Sequence, residues 1–222
     1  MSINAPPKSP GELPNTIPIF PLAGVLLLPR GDLPLNIFEP RYLAMIDDAL
    51  KGHRTIGMIQ PNSDAGGSRN VPALFSVGCA GRITQFAETG DGRYVVTLTG
   101  LARYRVRAEM PVLTPYRQCQ ADFEAFAGDF VPAAGEEHVD RASVLKTLDE
   151  FAQSNRLKID WKSIESASNE ALVNALSMMS PFGPKEKQAL LEAADLKSRA
   201  DVLVAITQME LARSNNNTNS IQ

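Results

Sequence analysis

Proline placement restricts this chain more than any other feature. Of its 16 prolines, nine fall within the first forty residues. Each removes a backbone donor and fixes φ near −65°, so nothing before Pro40 can be helical. Between the prolines lie short apolar pieces at 17–20, 25–28 and 33–37, separated by Pro21, Gly24, Pro29, Gly31 and Pro34. That punctuation is the mark of short edge strands and turns. Pro40 changes the period, because a missing N–H is harmless in the first turn of a helix. Tyr42, Leu43, Ile46, Ala49 and Leu50 follow at helical spacing until Gly52. Residues 1–15 offer little to bury and read as a disordered tail.

The strand signals continue beyond that helix. Residues 55–59 read as a strand and 61–70 as a polar loop. Residues 82–88 and 93–99 flank Thr89-Gly90-Asp91-Gly92, whose glycines can take positive φ, which predicts a hairpin with Tyr94, Val96 and Leu98 on one face. Residues 103–108 alternate strictly. In a strand this puts Arg103, Arg105 and Arg107 on one face and Tyr104, Val106 and Ala108 on the other. Residues 116–123 supply one more strand.

From Glu136 onward the period is 3.6. Val144, Leu148 and Phe151, then Leu172, Ala175, Leu176 and Met179, give two helices. Ser180-Pro181 stops the second, and Gly183-Pro184 opens a third. The last helix is expected at Ser198, with Asp201 three residues on in a capping-box-like start, and a polar tail is expected over 214–222. Strands with one early helix followed by a helical bundle make an α+β chain with the two classes segregated. The expected boundaries are a β-rich subdomain at 16–126 and a helical subdomain at 127–213.

Charge follows the same division. Residues 1–117 carry 12 Lys/Arg against 9 Asp/Glu, a balance of +3, and residues 118–222 carry 10 against 16, a balance of −6. The apolar stretch 17–28 is broken by Pro18, Pro21 and Gly24, far short of the ~20 residues that cross a bilayer. With no secretory-type start either, the chain reads as cytoplasmic with no membrane partner. Cys79 and Cys119 have no metal or disulfide spacing and read as buried thiols. His53 and His138 are the only histidines, and neither is paired at i, i+4 with another strong ligand, so no metal site is expected. No G-x-x-x-x-G-K-[ST] loop and no G-x-S-x-G elbow occurs. No cofactor is expected, and the chain reads as a non-enzyme.

The arginines are the remaining candidates. Arg103, Arg105 and Arg107, joined across the sheet by Arg82 and Arg93, suit phosphates or acidic peptides. A solvated strand face that discourages edge pairing explains the same residues. Stacking on nucleic acid would also need aromatics on that face, whereas Tyr94 and Tyr104 fall on the alternate one. Met178-Met179 reads as bundle core, and Trp161 as a partly buried staple between helices.

Three blocks of sequence carry a resemblance. Ile17-Pro18-Ile19-Phe20-Pro21-Leu22 with Leu33-Pro34-Leu35-Asn36-Ile37-Phe38-Glu39-Pro40-Arg41-Tyr42 is the first, and Val77-Gly78-Cys79-Ala80-Gly81-Arg82-Ile83 the second. The third is Asp91-Gly92-Arg93-Tyr94-Val95-Val96 followed by Gly100-Leu101-Ala102-Arg103-Tyr104. Together with Val25-Leu26-Leu27-Leu28-Pro29, and with Lys187-Gln188-Ala189-Leu190-Leu191-Glu192-Ala193 and Arg199-Ala200 in the last helices, they resemble the Lon protease N-terminal domain family over residues 16–213. The resemblance implies a PUA-like pseudo-β-barrel subdomain followed by a helical subdomain. In full-length Lon proteases this module precedes an ATPase and a Ser-Lys peptidase and helps recruit protein substrates. With neither motif here, the chain reads as a stand-alone, non-catalytic recogniser of protein or unfolded polypeptide, monomeric or weakly dimeric. The alternative is nucleic-acid or anionic-ligand binding through the arginine face. Candidate binding residues are Phe38, Glu39, Arg41, Tyr42, Arg82, Arg93, Arg103, Arg105 and Arg107. Within Phe38-Glu39-Pro40-Arg41-Tyr42, Glu39 is expected at or near the helix N-cap, satisfying free N–H groups, with partner binding as the other reading.

Overall fold

The computed structural model describes residues 5–68, 71–155, 158 and 160–219, with side chains as far as Arg213. The chain divides into two compact units, Met1–Pro132 and Ala133–Gln222. No helix among the described residues is long and apolar enough to cross a membrane.

The first unit is a closed barrel. Its strands are β1 (Thr16–Pro21), β2 (Asp32–Ile37), β3 (Thr55–Pro61), β4 (Leu74–Glu88), β5 (Tyr94–Glu109) and β6 (Gln118–Asp122). β3, β4, β5 and β6 pair antiparallel in the sense β3–β4, β4–β5 and β5–β6. β1 closes the ring, parallel to β3 and antiparallel to β6. β2 adds to the outside of the ring along the first half of β5, with Leu33 opposite Leu98 and Ile37 opposite Tyr94. It is an edge strand, where Pro34 removes a donor at least cost to the sheet.

Bulges bend the two long strands, with register shifts between Ala80 and Gly81, between Ile83 and Gln85, and between Val106 and Ala108. Inside, Tyr104 is fully buried against Ile17, Ile19, Cys119 and Phe123. Gly57 and Gly78 leave room for its ring. A Cβ on Gly57 would stand 2.5 Å from the Tyr104 hydroxyl, and one on Gly78 2.6 Å from it. Burial raises the Tyr104 hydroxyl well above its ordinary range, and it raises the Cys119 thiol to about 12, helped by Glu109.

The predicted hairpin forms as β4–β5, with Gly90 at φ 80° and Gly92 at φ 82°. The early helix forms as α1 (Pro40–Lys51), burying Tyr42, Met45, Ile46 and Ala49. Residues 25–28 differ from expectation. They are largely buried but join no strand, because apolarity marks a segment for burial and does not supply it with a pairing edge. The expected N-terminal tail is also tied down where it is described. A 3₁₀ turn covers Pro10–Glu12, Leu13 is buried in the barrel core, and the Asn15 carbonyl accepts from the Ala121 N–H.

The second unit is helical: α2 (Arg141–Asn155), α3 (Trp161–Ser166), α4 (Asn169–Met179), α5 (Pro184–Glu192) and α6 (Leu196–Asn219). Val144 and Ala152 of α2 are buried, as are Leu172 and Val173 of α4, Leu190 and Leu191 of α5, and Leu196, Ala200 and Leu203 of α6. Asp160 caps α3 by accepting from the Ser163 N–H, and Ser168 caps α4 by accepting from the Ala171 N–H. Residues 136–138 form a 3₁₀ turn, so the first true helix starts at Arg141. The last helix starts earlier than expected. The Asp195 carboxylate accepts from the Ser198 N–H at 2.7 Å, leaving Ser198 inside the helix. That helix continues through the expected polar tail to Asn219. Met179 is mostly exposed where core was expected, because the helix ends there, and Trp161 is partly exposed in the first turn of α3.

Candidate functional site

Phe38-Glu39-Pro40-Arg41-Tyr42 leads into α1 and contributes Arg41 and Tyr42 to the lining of a cleft in the barrel unit. Glu39 is the N-cap of α1 by position, with extended φ and ψ, and its carbonyl accepts from the N–H groups of Tyr42 and Leu43. Its carboxylate does not cap the helix. It accepts instead from Arg41, 2.9 Å from Nε and 2.8 Å from Nη2. The expected capping role of the side chain is therefore replaced by an exposed ion pair that fixes the Arg41 guanidinium 4.6 Å above the Tyr42 ring. Tyr42 is 6% exposed, and its ring lies 4.2 Å from that of Phe20 in β1. Phe38, just before the turn, is 62% exposed.

The cleft encloses about 280 Å³ between Pro21, Arg41, Tyr42, Pro61, Val71, Pro72, Pro115, Tyr116 and Arg117. Topology gathers these distant residues. Parallel pairing brings the ends of β1 and β3 to the same rim, where Pro21 faces Ile59 in register, and the turn into α1 stacks Tyr42 on β1. Arg117 then ties the opposite wall together. Its Nε and Nη2 hold both oxygens of Glu109 at 2.8 and 2.5 Å, and its Nη1 donates to the Pro72 carbonyl at 2.8 Å. Tyr116 donates to Asp48 of α1 at 2.9 Å, and burial together with that bond lifts its hydroxyl to about 12.

The Tyr42 hydroxyl has no hydrogen-bond partner among the described residues. Burial raises its pKa, while Arg41 and Arg117 pull it back and Glu39 pushes it up, so both guanidiniums are felt at the phenol oxygen. Exposed apolar groups stand close by in sequence. Val71 lines the cleft, and Val112, fully exposed Leu113 and Met110 belong to the segment leading to Pro115. Sequence reasoning misses this wall. The signal for it is the run Met110-Pro111-Val112-Leu113-Thr114-Pro115, apolar without alternation and closed by prolines.

The arginine strip expected from alternation breaks at Arg103. That guanidinium is buried. It donates from Nε and Nη2 to the carboxylate of Asp129 at 2.8–3.3 Å and lies 4.6 Å from the Phe126 ring. The physical reason is that the 3₁₀ segment Glu124–Phe130 covers this part of β5, and alternation says nothing about what covers a face. Arg107 is exposed and paired with Asp122 at 2.5 Å. Arg93 pairs with Asp91 in the hairpin loop. Arg82 is half-buried, with its pKa lowered by burial, and donates to the Ala5 carbonyl. Arg105 is exposed. These five do not assemble one surface, whereas Arg41 and Tyr42 do share the cleft.

A closed five-stranded mixed barrel with an added edge strand, followed by a helical unit, defines an α+β module of the kind found at the start of Lon proteases. The chain belongs to the family described as the ATP-dependent protease La (LON) substrate-binding domain, whose model matches residues 16–208. It is 28% identical over 215 residues to Lon protease 2 of Sorangium cellulosum, covering 93% of this chain and 26% of that protein. It is 26% identical over 207 residues to Lon protease 2 of Myxococcus xanthus, covering 88% of this chain and 24% of that protein. The chain thus spans about a quarter of the length of these relatives. Among solved structures, the Lon N-terminal domain protein from Xanthomonas campestris superposes with a TM-score of 0.59 at 21% identity, covering 86% of this chain and 97% of that one. The N-terminal domain of Mycobacterium avium complex Lon protease gives 0.61 at 19% identity, covering 87% and 98%. At these identities the two structures speak for the fold.

Proposed function

We propose that this chain is a non-catalytic recognition module that binds segments of other proteins at the cleft between β1, α1 and the 110–117 segment. The observation that carries the reading is exposed Val71 in the cleft lining, with further exposed apolar side chains a few residues from other lining residues. Val71 lines it, Phe38 stands three residues from Arg41, and Val112 and Leu113 stand two or three residues from Pro115. Large apolar groups exposed together on a soluble domain mark binding surfaces. Membership of a substrate-binding family supports the same reading. The cleft is lined by proline, valine, tyrosine and arginine, a set suited to holding a partner and containing no nucleophile paired with a base. The arginine-face alternative has lost Arg103 to the interior, which weakens it.

Fluorescence anisotropy with labelled, reduced and alkylated casein tests the proposal. Casein should bind, and Leu113→Asp combined with Val71→Asp should weaken binding at least about tenfold while leaving the melting temperature unchanged, since both side chains are exposed. Equal binding by the double variant would place recognition elsewhere. Cleavage of casein by the chain alone would overturn the non-catalytic reading.

A further inference from the structure

The same cleft has a chemistry more selective than apolar contact. Building on the reading that it binds segments of other proteins, we infer that it captures the free C-terminal end of a polypeptide, with the terminal carboxylate at Arg41 and the Tyr42 hydroxyl and an apolar last side chain against Val71 and the prolines.

Four of the nine lining residues are prolines, which have no N–H to offer. These walls cannot act as a strand edge for an internal segment of a partner, because strand addition needs alternating backbone donors and acceptors. The donors that remain are side chains. Glu39 occupies the Nε and Nη2 edge of Arg41, leaving Nη1 without an acceptor among the described residues. Tyr42 is more than nine-tenths buried and lines the cleft, yet its hydroxyl donates to nothing among the described residues. That hydroxyl opens into the cleft, where a carboxylate oxygen can take the place of solvent and accept from it. Arg117 is locked between Glu109, which matches its charge, and the Pro72 carbonyl, so Arg41 and Tyr42 are the donors that face a ligand.

Donors gathered beside apolar walls fit a group that only accepts hydrogen bonds and is attached to an apolar side chain. A chain end supplies both, and it has no onward chain to thread out of a space of about 280 Å³, which is at the small end of ligand sites. An internal Glu or Asp supplies the charge but brings flanking carbonyls on both sides, which proline walls without N–H donors leave largely unmatched. Glu39 acts here as a positioning residue, since its pairing holds the guanidinium over the Tyr42 ring.

The test uses three fluorescein-labelled decapeptides of one Gly/Ser/Ala composition. The first ends in leucine with a free carboxylate, the second ends in leucine amide, and the third has the leucine moved inward next to a glutamate and ends in an amide. The full chain should bind the first about tenfold or more tightly than the other two, as a charge-assisted bond would give. Tyr42→Phe should weaken the first peptide about three- to tenfold at unchanged melting temperature, and Arg41→Gln should weaken it further without affecting the amide. Equal affinity for acid and amide overturns the inference, as does a Tyr42→Phe variant that binds the acid normally. Preference for the third peptide assigns the cleft to internal acidic segments and overturns it too. Casein in parallel separates the two readings: casein bound without carboxylate preference ends the chain-end inference alone, and failure of every probe ends both.

Discussion

The two units bury cations in different ways. In the barrel unit Arg103 is enclosed with a full counter-charge, both oxygens of Asp129 on one fork of the guanidinium. In the helical unit Lys187, 6% exposed, donates to the carbonyl of Met178 near the end of α4 at 2.9 Å. Arg199, 4% exposed, donates to the Leu190 carbonyl and to the Asn174 side chain. A carboxylate pair resists change because removing one half strands the other. A cation held by carbonyls sits where helix ends are negative but loses more of its hydration than it recovers, so burial lowers the pKa of Lys187. The barrel is thereby committed to its ion pair, and the helical unit to an adjustable charge.

The largest effect that would break this comparison belongs to Asp129→Ala. It leaves Arg103 buried and unpaired, and the barrel should lose about 3–5 kcal/mol in urea unfolding, followed by methyl NMR signals of the barrel unit. A loss below ~1 kcal/mol would mean that water or another group takes over the charge.

Alkaline pH should act on the two units with opposite sign. Tyr116, near 12 in the fold against ~10 unfolded, and Cys119, near 12 against about 9, favour the folded barrel while they stay protonated. That contribution is complete below the unfolded values and disappears as pH rises toward 12. Lys187 behaves in reverse. Its folded value lies below 10.5, so the unfolded chain binds more protons in the window just under 10.5, and the contribution of Lys187 to helical-unit stability rises with pH there, opposed by exposed Lys197, whose bond to Asp201 raises its pKa. Urea midpoints read from separate methyl signals between pH 8.5 and 10.5 should fall for the barrel and hold or rise for the helices. Midpoints that fall together would refute the contrast.

The smallest effect is expected from Lys187→Met. Replacing a desolvated ammonium by an apolar group of similar length should change helical-unit stability by less than ~1 kcal/mol and should abolish its alkaline rise. A larger loss would show that the bond to Met178 holds α4 and α5 together.

The elements most legible from sequence are those specified locally. Gly90 and Gly92 announce the hairpin, Pro40 and Pro184 the starts of two helices, and each needs only its own neighbours. Legibility fails where a partner lies far along the chain. Alternation places Arg103 on a face correctly but carries no trace of Asp129, 26 residues away, whose segment covers it. Residues 25–28 are buried by neighbours that sequence does not rank, and nothing local distinguishes such a piece from a strand. Half of the cleft is visible in Phe38-Glu39-Pro40-Arg41-Tyr42. The other half, from Val71 to Arg117, depends on β1 and β3 ending at the same rim, a consequence of parallel pairing that no local pattern encodes.

The position of β1 also sets an order of assembly. It precedes the other five barrel strands in the chain, yet its neighbours are β3 and β6, and β6 ends at Asp122. As the chain leaves the ribosome, residues 16–21 must wait for some hundred further residues before both of their edges are filled. Closing so long a loop is slow compared with forming the β4–β5 hairpin. Loop length thus favours the hairpin as the first contact and the seam between β1 and Gln118–Asp122 as the last.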